Sequence, residues 1–465
     1  MATDRGAVFG VLAAAAVLLW PALWNGYPIV FADTGTYLSQ AIHRYAGWDR
    51  PVFYSLFMLP LHATVTVWPV VAAQALLTAR VMWTVCRVLV PGLSSFAFVA
   101  GVAVLSVCTW LPWVVSELVP DVFTPLVVLA AGLLALEPER LSRREQIVMA
   151  GLAAFMIASQ QSSVPLACVL LPVLVMFPRS FGPGVRTPGS WPGLSIHPTT
   201  NVTQRSRRWL LIILPPVLAV LGLCIVNLAA HGRFAIAPFG NVFMLARVIY
   251  DGPGMTALRR FCPVANWRLC PFIDDLPATS DDFLWAPDSP LSRAGGPKSV
   301  SLDADEIIAA ALNGDPVAET RAALRNTLEQ LTRFDSGDGL TPWPNEVSPW
   351  IERDFPARER VAYGSARQQA GRLLLPRFLA NIHAITALAG VIGCVVLLPV
   401  AIRRRAPCAG FLLAVLLALP VSAAITGSLS TPHDRYQARI MWLPPFIAAV
   451  SMASLRPLPR VRRPA

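Results

Sequence analysis

Ten apolar runs shape this chain, at about 6–24, 67–89, 96–115, 121–136, 147–160, 164–177, 209–229, 378–401, 409–427 and 439–455. Several approach or exceed the roughly 20 residues that a helix needs to cross a hydrocarbon core. Backbone inside a bilayer must satisfy its own polar groups, so repeated runs of this kind predict helices rather than isolated strands. The composition agrees: only 14% of residues are charged, against about a quarter in an ordinary water-soluble domain. The expected fold class is an all-α polytopic membrane protein.

Between the runs, two kinds of segment alternate. One is rich in arginine: Arg140, Arg143 and Arg144; Arg179, Arg186, Arg205, Arg207 and Arg208; Arg403, Arg404 and Arg405; Arg456, Arg460, Arg462 and Arg463. The other carries acids, histidine and aromatic residues. Positive loops stay on the cytoplasmic side, which predicts ten spans with both termini in the cytoplasm. The net charge of +11, with Lys298 the sole lysine, follows from those loops and from the arginine usage of a GC-rich genome. It does not signal nucleic acid. The first run lacks a small-residue cleavage site and reads as an uncleaved helix. The expected location is a bacterial inner (plasma) membrane. The chain divides into a membrane module at 1–229, with a first extracytoplasmic loop at 25–66. An extracytoplasmic domain at 230–377 and C-terminal helices at 378–465 complete it.

Three outward segments hold the groups able to do chemistry. The first, "YPIVFADTGTYLSQAIHRYAGWDRPVFYSLF", contains Asp33, Tyr37, His43, Asp49 and Arg50. Leu38, Ala41, Ile42 and Tyr45 fall at helical spacing, which predicts an amphipathic helix on the membrane surface. Asp33 stands where an N-cap is expected. Asp49 reads as part of the turn before Pro51. The second segment, "SELVPD", brings Glu117 and Asp121; the third, "HDRYQAR", brings His433, Asp434, Arg435, Tyr436 and Arg439. A carboxylate beside an acceptor hydroxyl acts as a general base, and arginine offers a bidentate fork to a departing phosphate. Sugar transfer from a lipid-linked phosphate requires both, through an oxocarbenium-like transition state.

The order of these parts resembles the GT-C superfamily of integral-membrane glycosyltransferases, which includes protein O-mannosyltransferases and lipid A aminoarabinose transferases. "FADTGTYLSQAI" followed by "RPVFYSLF" is similar to that family's first extracytoplasmic loop, and "SELVPD" to its second acidic loop. The resemblance covers the layout of about the first 230 residues and the position of the large loop. It departs in having a lone Asp33 where many members have an acid pair, and in lacking a "WWDYG" signature. It implies a GT-C-like bundle of about ten transmembrane helices with one large, mostly helical extracytoplasmic domain. It also implies a polyprenyl-phosphate-linked sugar donor, an extracytoplasmic acceptor (lipid, glycan or protein) and inversion at the anomeric carbon. On it, Asp33 takes the base position and Asp121 and Glu117 assist. From the residues of the outward segments themselves, Tyr37, Arg50, His433, Arg435, Tyr436 and Arg439 are expected to bind substrate, with Arg435 and Arg439 holding the donor phosphate. No metal or cofactor is obligatory, though a divalent ion between Asp33 and Asp121 is compatible. A lipid-linked-glycan polymerase, ligase or flippase, or a membrane scaffold, are the competing classes.

Other residues have simpler readings. Cys262 and Cys270 lie together in the outward region, where a disulfide closing a short loop is expected; the other six cysteines read as small core residues. "SQQSSV" interrupts an apolar stretch, which is tolerated where it lines a cavity. Asp303–Phe334 predicts two helices broken at Asn313–Pro316. Asp274, Asp275, Asp281 and Asp282 read as a solvated loop face, Trp68, Trp110, Trp113 and Trp442 as interfacial anchors, and Asn201-Val202-Thr203 as an acceptor match without meaning in a cytoplasmic loop. The chain has no Walker loop, dinucleotide fingerprint, His-Glu-x-x-His or Gly-x-Ser-x-Gly motif.

Overall fold

The computed structural model describes residues 2–176 and 202–456, helical with no strand among them. Helices α1 (Ala2–Leu18) and α2 (Trp20–Asn25) lead to the first loop, which holds α3 (Ala32–His43) and α4 (Val52–His62). Then come α5 (Trp68–Leu89), α6 (Ser95–Cys108), α7 (Leu111–Ser116), α8 (Phe123–Leu136), α9 (Arg143–Ser159), α10 (Ser163–Met176) and α11 (Val202–His231). The region that follows contains α12 (Gly240–Asp251), α13 (Pro253–Phe261), α14 (Ser280–Trp285), α15 (Pro290–Arg293), α16 (Gly296–Gly314), α17 (Pro316–Thr332), α18 (Pro344–Asp354) and α19 (Ala357–Gly364). The chain returns through α20 (Arg377–Arg403), α21 (Cys408–Leu429), α22 (Asp434–Ala438) and α23 (Leu443–Leu455).

Six helical segments among the described residues are long and apolar enough to cross a membrane: Arg5–Asn25, Trp68–Leu89, Trp209–His231, Arg377–Arg403, Cys408–Leu429 and Asp434–Leu455. Six, rather than the ten expected, meet that measure because the other four runs form shorter helices. The run at 96–115 breaks where Thr109 turns extended and Pro112 starts α7, leaving 14 residues in α6. At 1.5 Å per residue such a helix is about 21 Å long, short of a ~30 Å core. Pro120 takes the first turn of the next run into a 3₁₀ helix. The runs at 147–160 and 164–177 end on either side of a turn at 160–162. Arg179, Arg186, Asn201, Arg460, Arg462 and Arg463 lie outside the described residues, as do the side chains of Arg205, Arg207 and Arg208.

Every residue of α8 is buried; it is the central post of the bundle, against which α5, α9, α10 and α21 pack. The close approach of α21 is set by small residues: a Cβ on Gly132 would meet the Phe411 ring at 2.6 Å. Trp110, Trp113 and Trp442 belong to this interior. Trp113 packs edge-on to Trp20 and Trp24, and Trp110 packs on His383. They are buried at 0–3% exposure, which corrects the expectation of interfacial anchors; Trp68 is half-buried.

The region from α12 to α19 has two parts. Residues of α12 to α16 form their own small core around Phe239, Leu258, Phe283 and Ile307. By contrast α17 lies along α21, and Val347, Ile351, Phe355 and Tyr363 from α18 and α19 join the main core. The break expected at Asn313–Pro316 is the junction of α16 and α17, where the Asp315 side chain accepts from Ala318 N. The disulfide Cys262–Cys270 is formed, across 8 positions of sequence. Closing so short a loop contributes about 2–3 kcal/mol to the folded state. A Cys262→Ser/Cys270→Ser variant should therefore melt below the wild type in non-reducing buffer. Dithiothreitol should lower the wild-type midpoint and leave that of the variant unmoved.

Helix α3 is not a surface helix. Thr34, Gly35, Tyr37, Leu38, Ser39, Gln40 and Ala41 are buried, because α4 covers one side and α18 the other. Gly35 makes the second contact possible: a Cβ there would sit 1.9 Å from the Glu346 carbonyl oxygen. Gly35→Ala should thus force the two helices apart and cost about 1–3 kcal/mol, read as a lower melting midpoint.

Candidate functional site

The first loop is fastened to the second acidic segment by an isolated parallel bridge. Ile29 N donates to Ser116 O at 2.9 Å, and Leu118 N donates to Ile29 O at 2.8 Å. Thr34 Oγ1 donates to Leu118 O and accepts from Phe31 N. Phe31 is thus the N-cap of α3 in place of the expected Asp33, which lies two positions further on, inside the first turn. There the helix dipole favours its charge. Gln368 holds the same extended segment, accepting from Val30 N at 3.0 Å and donating to Val30 O at 2.7 Å. On the opposite side, α17 grips the third segment: Gln330 exchanges two hydrogen bonds with the His433 backbone, and Arg333 donates to Pro432 O.

These fastenings bring the three segments together in one ion cluster. Arg50 Nη2 donates to Asp33 Oδ1 at 2.6 Å, and Arg435 Nη2 to Asp33 Oδ2 at 3.2 Å. The Nε of Arg435 lies 3.2 Å from Asp121 Oδ2. Arg439 Nη1 donates to Asp121 Oδ1 at 2.7 Å, and Gln160 Nε2 to the same oxygen at 2.9 Å. Arg439 Nη2 reaches Ser162 Oγ at 3.1 Å. Arg435 therefore stands between the two aspartates, with its guanidinium carbon 3.7 Å from the Phe31 ring centroid. Three arginines against two aspartates leave these five residues with a net charge of +1.

Burial opposes the charge on Asp33, but Arg50 and Arg435 outweigh it, and the carboxyl is held at about 2. Burial also raises the Tyr37 phenol far above its ordinary value, with Asp33 adding to the shift. Tyr37 therefore remains a hydrogen-bond donor at neutral pH.

A cavity of about 410 Å³ opens beside the cluster. Asp33, Tyr37, Arg50, His433, Arg435, Tyr436 and Arg439 line it, together with the polar break Gln160, Gln161 and Ser162. Asp121 is not on its surface; 1% exposed, it backs Arg435 and Arg439 from behind. Glu117 is also buried and off the lining. Its side chain faces Gly339, where a Cβ would fall 2.9 Å from Oε1, and its backbone carbonyl accepts from Gln74. His43 is turned away, pairing with Asp354 at 3.3 Å. Among the described residues no three His, Cys, Asp or Glu side chains gather as metal ligands, and the guanidinium of Arg435 occupies the position between Asp33 and Asp121.

Several lining residues carried no site reading in the sequence. Asp49, read there as a turn residue, is on the cavity wall. Asp281, read as solvated, lines it too and lies 3.6 Å from His433 Nε2. From the α12–α16 core come Phe243, Trp285 and Arg247; Arg247 is itself bound to Asp251 at 2.7 Å and Glu319 at 3.2 Å. A lone arginine in the apolar helix "NVFMLARVIYD", four positions before an aspartate, was the available signal for it.

Compared with protein families, with curated proteins and with solved structures, the chain has no match.

Proposed function

We propose that this chain is a polytopic membrane glycosyltransferase of GT-C type. It would take a sugar from a polyprenyl-phosphate donor and pass it, with inversion, to an acceptor on the outer face of a bacterial inner membrane. The observation that carries the reading is the placement of Arg435, half-buried between Asp33 and Asp121 and lining the cavity alongside Arg50 and Arg439. Three guanidinium groups converging on one wall suit a phosphate, each offering N–H donors in a fixed fork. The two aspartates hold these cations oriented before any ligand arrives, so little reorganisation is needed as charge develops on the leaving phosphate.

In this scheme the donor phosphate lies against Arg50, Arg435 and Arg439, and its sugar extends into the cavity. The acceptor oxygen attacks the anomeric carbon from the face opposite the phosphate, and polyprenyl phosphate departs with the bonding electron pair. Tyr37 donates to a ligand oxygen. Asp33 serves chiefly as the anchor of Arg50 and Arg435, since a carboxyl held near 2 is a weak proton acceptor. Asp121 positions Arg435 and Arg439 from behind.

Undecaprenyl phosphate, which shares the leaving group's chemistry, should raise the melting midpoint of the purified protein in detergent. Arg439→Gln should weaken that effect by at least about 10-fold in half-saturating concentration, as expected for a lost charge-assisted pair. Equal stabilisation by undecaprenol, which lacks the phosphate, would remove the support for a phosphate site.

A further inference from the structure

We infer that Asp49 is the proton acceptor of the transfer reaction, the group that takes the hydrogen of the acceptor hydroxyl. The inference rests on the glycosyl-transfer reading above. Its ground is the unequal use of the two acids on the cavity wall. Asp33 has both oxygens engaged, Oδ1 by Arg50 and Oδ2 by Arg435. A carboxylate bound at both oxygens by guanidinium groups has little remaining capacity to receive a proton. Asp49 lines the same cavity, and among the described residues no arginine pairs with its carboxylate. Arg50, its neighbour, directs Nη1 to the Asp49 backbone carbonyl at 3.0 Å and Nη2 to Asp33. The Asp49 side chain accepts from Thr36 Oγ1 at 3.3 Å, through Oδ2.

The environment agrees with that role. Burial raises the Asp49 carboxyl above its ordinary value, and the nearby Asp33 charge adds to it, while Arg50 pulls the other way. A base moved toward neutrality accepts a proton more effectively than one held near 2. The charged groups facing Asp49 are Arg50 on its own loop and Asp33 on α3. From α11, His231 touches the adjoining Gly47 carbonyl. The loop is held from the other side by Trp48, which stacks on Phe243 at 5.6 Å.

The step balances without any further reagent. The acceptor oxygen forms its bond to the anomeric carbon as the bond from that carbon to the phosphate oxygen breaks. The acceptor proton passes to Asp49, and the phosphate leaves as a monoester dianion with one more negative charge than it had as a diester. Protonation of Asp49 raises the net charge of the wall by one unit at the same moment, so the cations gain weight as the phosphate gains charge.

The test compares wild type, Asp49→Asn and Asp49→Glu in detergent, each with two readouts. One is release of label from undecaprenyl phosphates carrying radiolabelled mannose, glucose or arabinose, with water standing in for the acceptor hydroxyl. The other is the midpoint shift produced by undecaprenyl phosphate. Asp49→Asn should lose about 10²–10⁴-fold in the rate of release while keeping its response to undecaprenyl phosphate within about 3-fold. Asp49→Glu should recover part of the rate. Release by Asp49→Asn within about 3-fold of an active wild type would overturn the assignment and leave the transferase reading standing. Loss of rate together with loss of the undecaprenyl phosphate response would also overturn it, by making Asp49 a binding or structural residue. A wild type that responds to undecaprenyl phosphate yet releases no label from any donor would overturn both.

Discussion

Arg435→Gln is expected to abolish transfer and to lower the stability of the protein by about 3–5 kcal/mol, the usual consequence of removing one partner from a buried ion pair. The size follows from the number of groups that depend on this side chain. Its Nη2 and Nε reach Asp33 and Asp121, each at 3.2 Å, and its guanidinium covers Phe31. Glutamine would leave two buried carboxylate oxygens without their cation, and the neutral amide cannot reach both. Arg435→Lys should behave nearly as badly, since an ammonium has no fork to span two carboxylates. Adding Asp121→Asn to Arg435→Gln should restore part of the stability, with a coupling of about 0.5–3 kcal/mol between the two sites. Activity should stay lost in the double variant. Melting midpoints in detergent read the first effect and label release the second.

Asp33→Asn carries the second large effect, and it separates by pH. The folded carboxyl is held at about 2 against an ordinary 3.8, a depressed value. Its contribution is therefore fully present above pH 3.8 and is lost as pH falls through 2. The difference amounts to about 2 kcal/mol. The wild type should lose that amount on acidification between about pH 4 and pH 2, and the asparagine variant should show a correspondingly flatter profile across the same window. At neutral pH the variant also releases Arg50 and Arg435 from their shared anchor. Transfer should then fall by about 10²–10³-fold, as when one element of a preorganised electrostatic site is removed. The half-saturating concentration of undecaprenyl phosphate should rise alongside, because the same arginines are read as holding the phosphate.

The helical layout was largely legible because apolar runs and breakers act locally. The α16–α17 junction at Asn313–Pro316 and the Cys262–Cys270 bridge follow from short stretches of sequence. So does the cavity-lining break at Gln160–Ser162. Run length was less informative, since Thr109 and Pro120 shorten helices without lowering the hydropathy around them. Residues from the three segments do meet in one ion cluster, but the pairings inside it were not legible. Asp33 and Arg435 are 402 positions apart, and no periodicity records such a contact. Asp49 and Arg50 adjoin in sequence yet divide their tasks, because the guanidinium turns to Asp33. A buried tryptophan such as Trp442 and an interfacial one also look alike in sequence; packing alone distinguishes them. Glu117 and Asp121 sit four positions apart, and only Asp121 joins the arginines.

The glycosyltransferase assignment is tested most directly by incubating the purified wild-type chain with undecaprenyl phosphates carrying radiolabelled mannose, glucose or arabinose. Label leaving the lipid phase is then counted. Release from at least one donor, lost in Arg435→Gln, is the predicted result. A folded wild type that binds undecaprenyl phosphate but releases no label from any of them, or an Arg435→Gln protein that releases as fast as wild type, would contradict it.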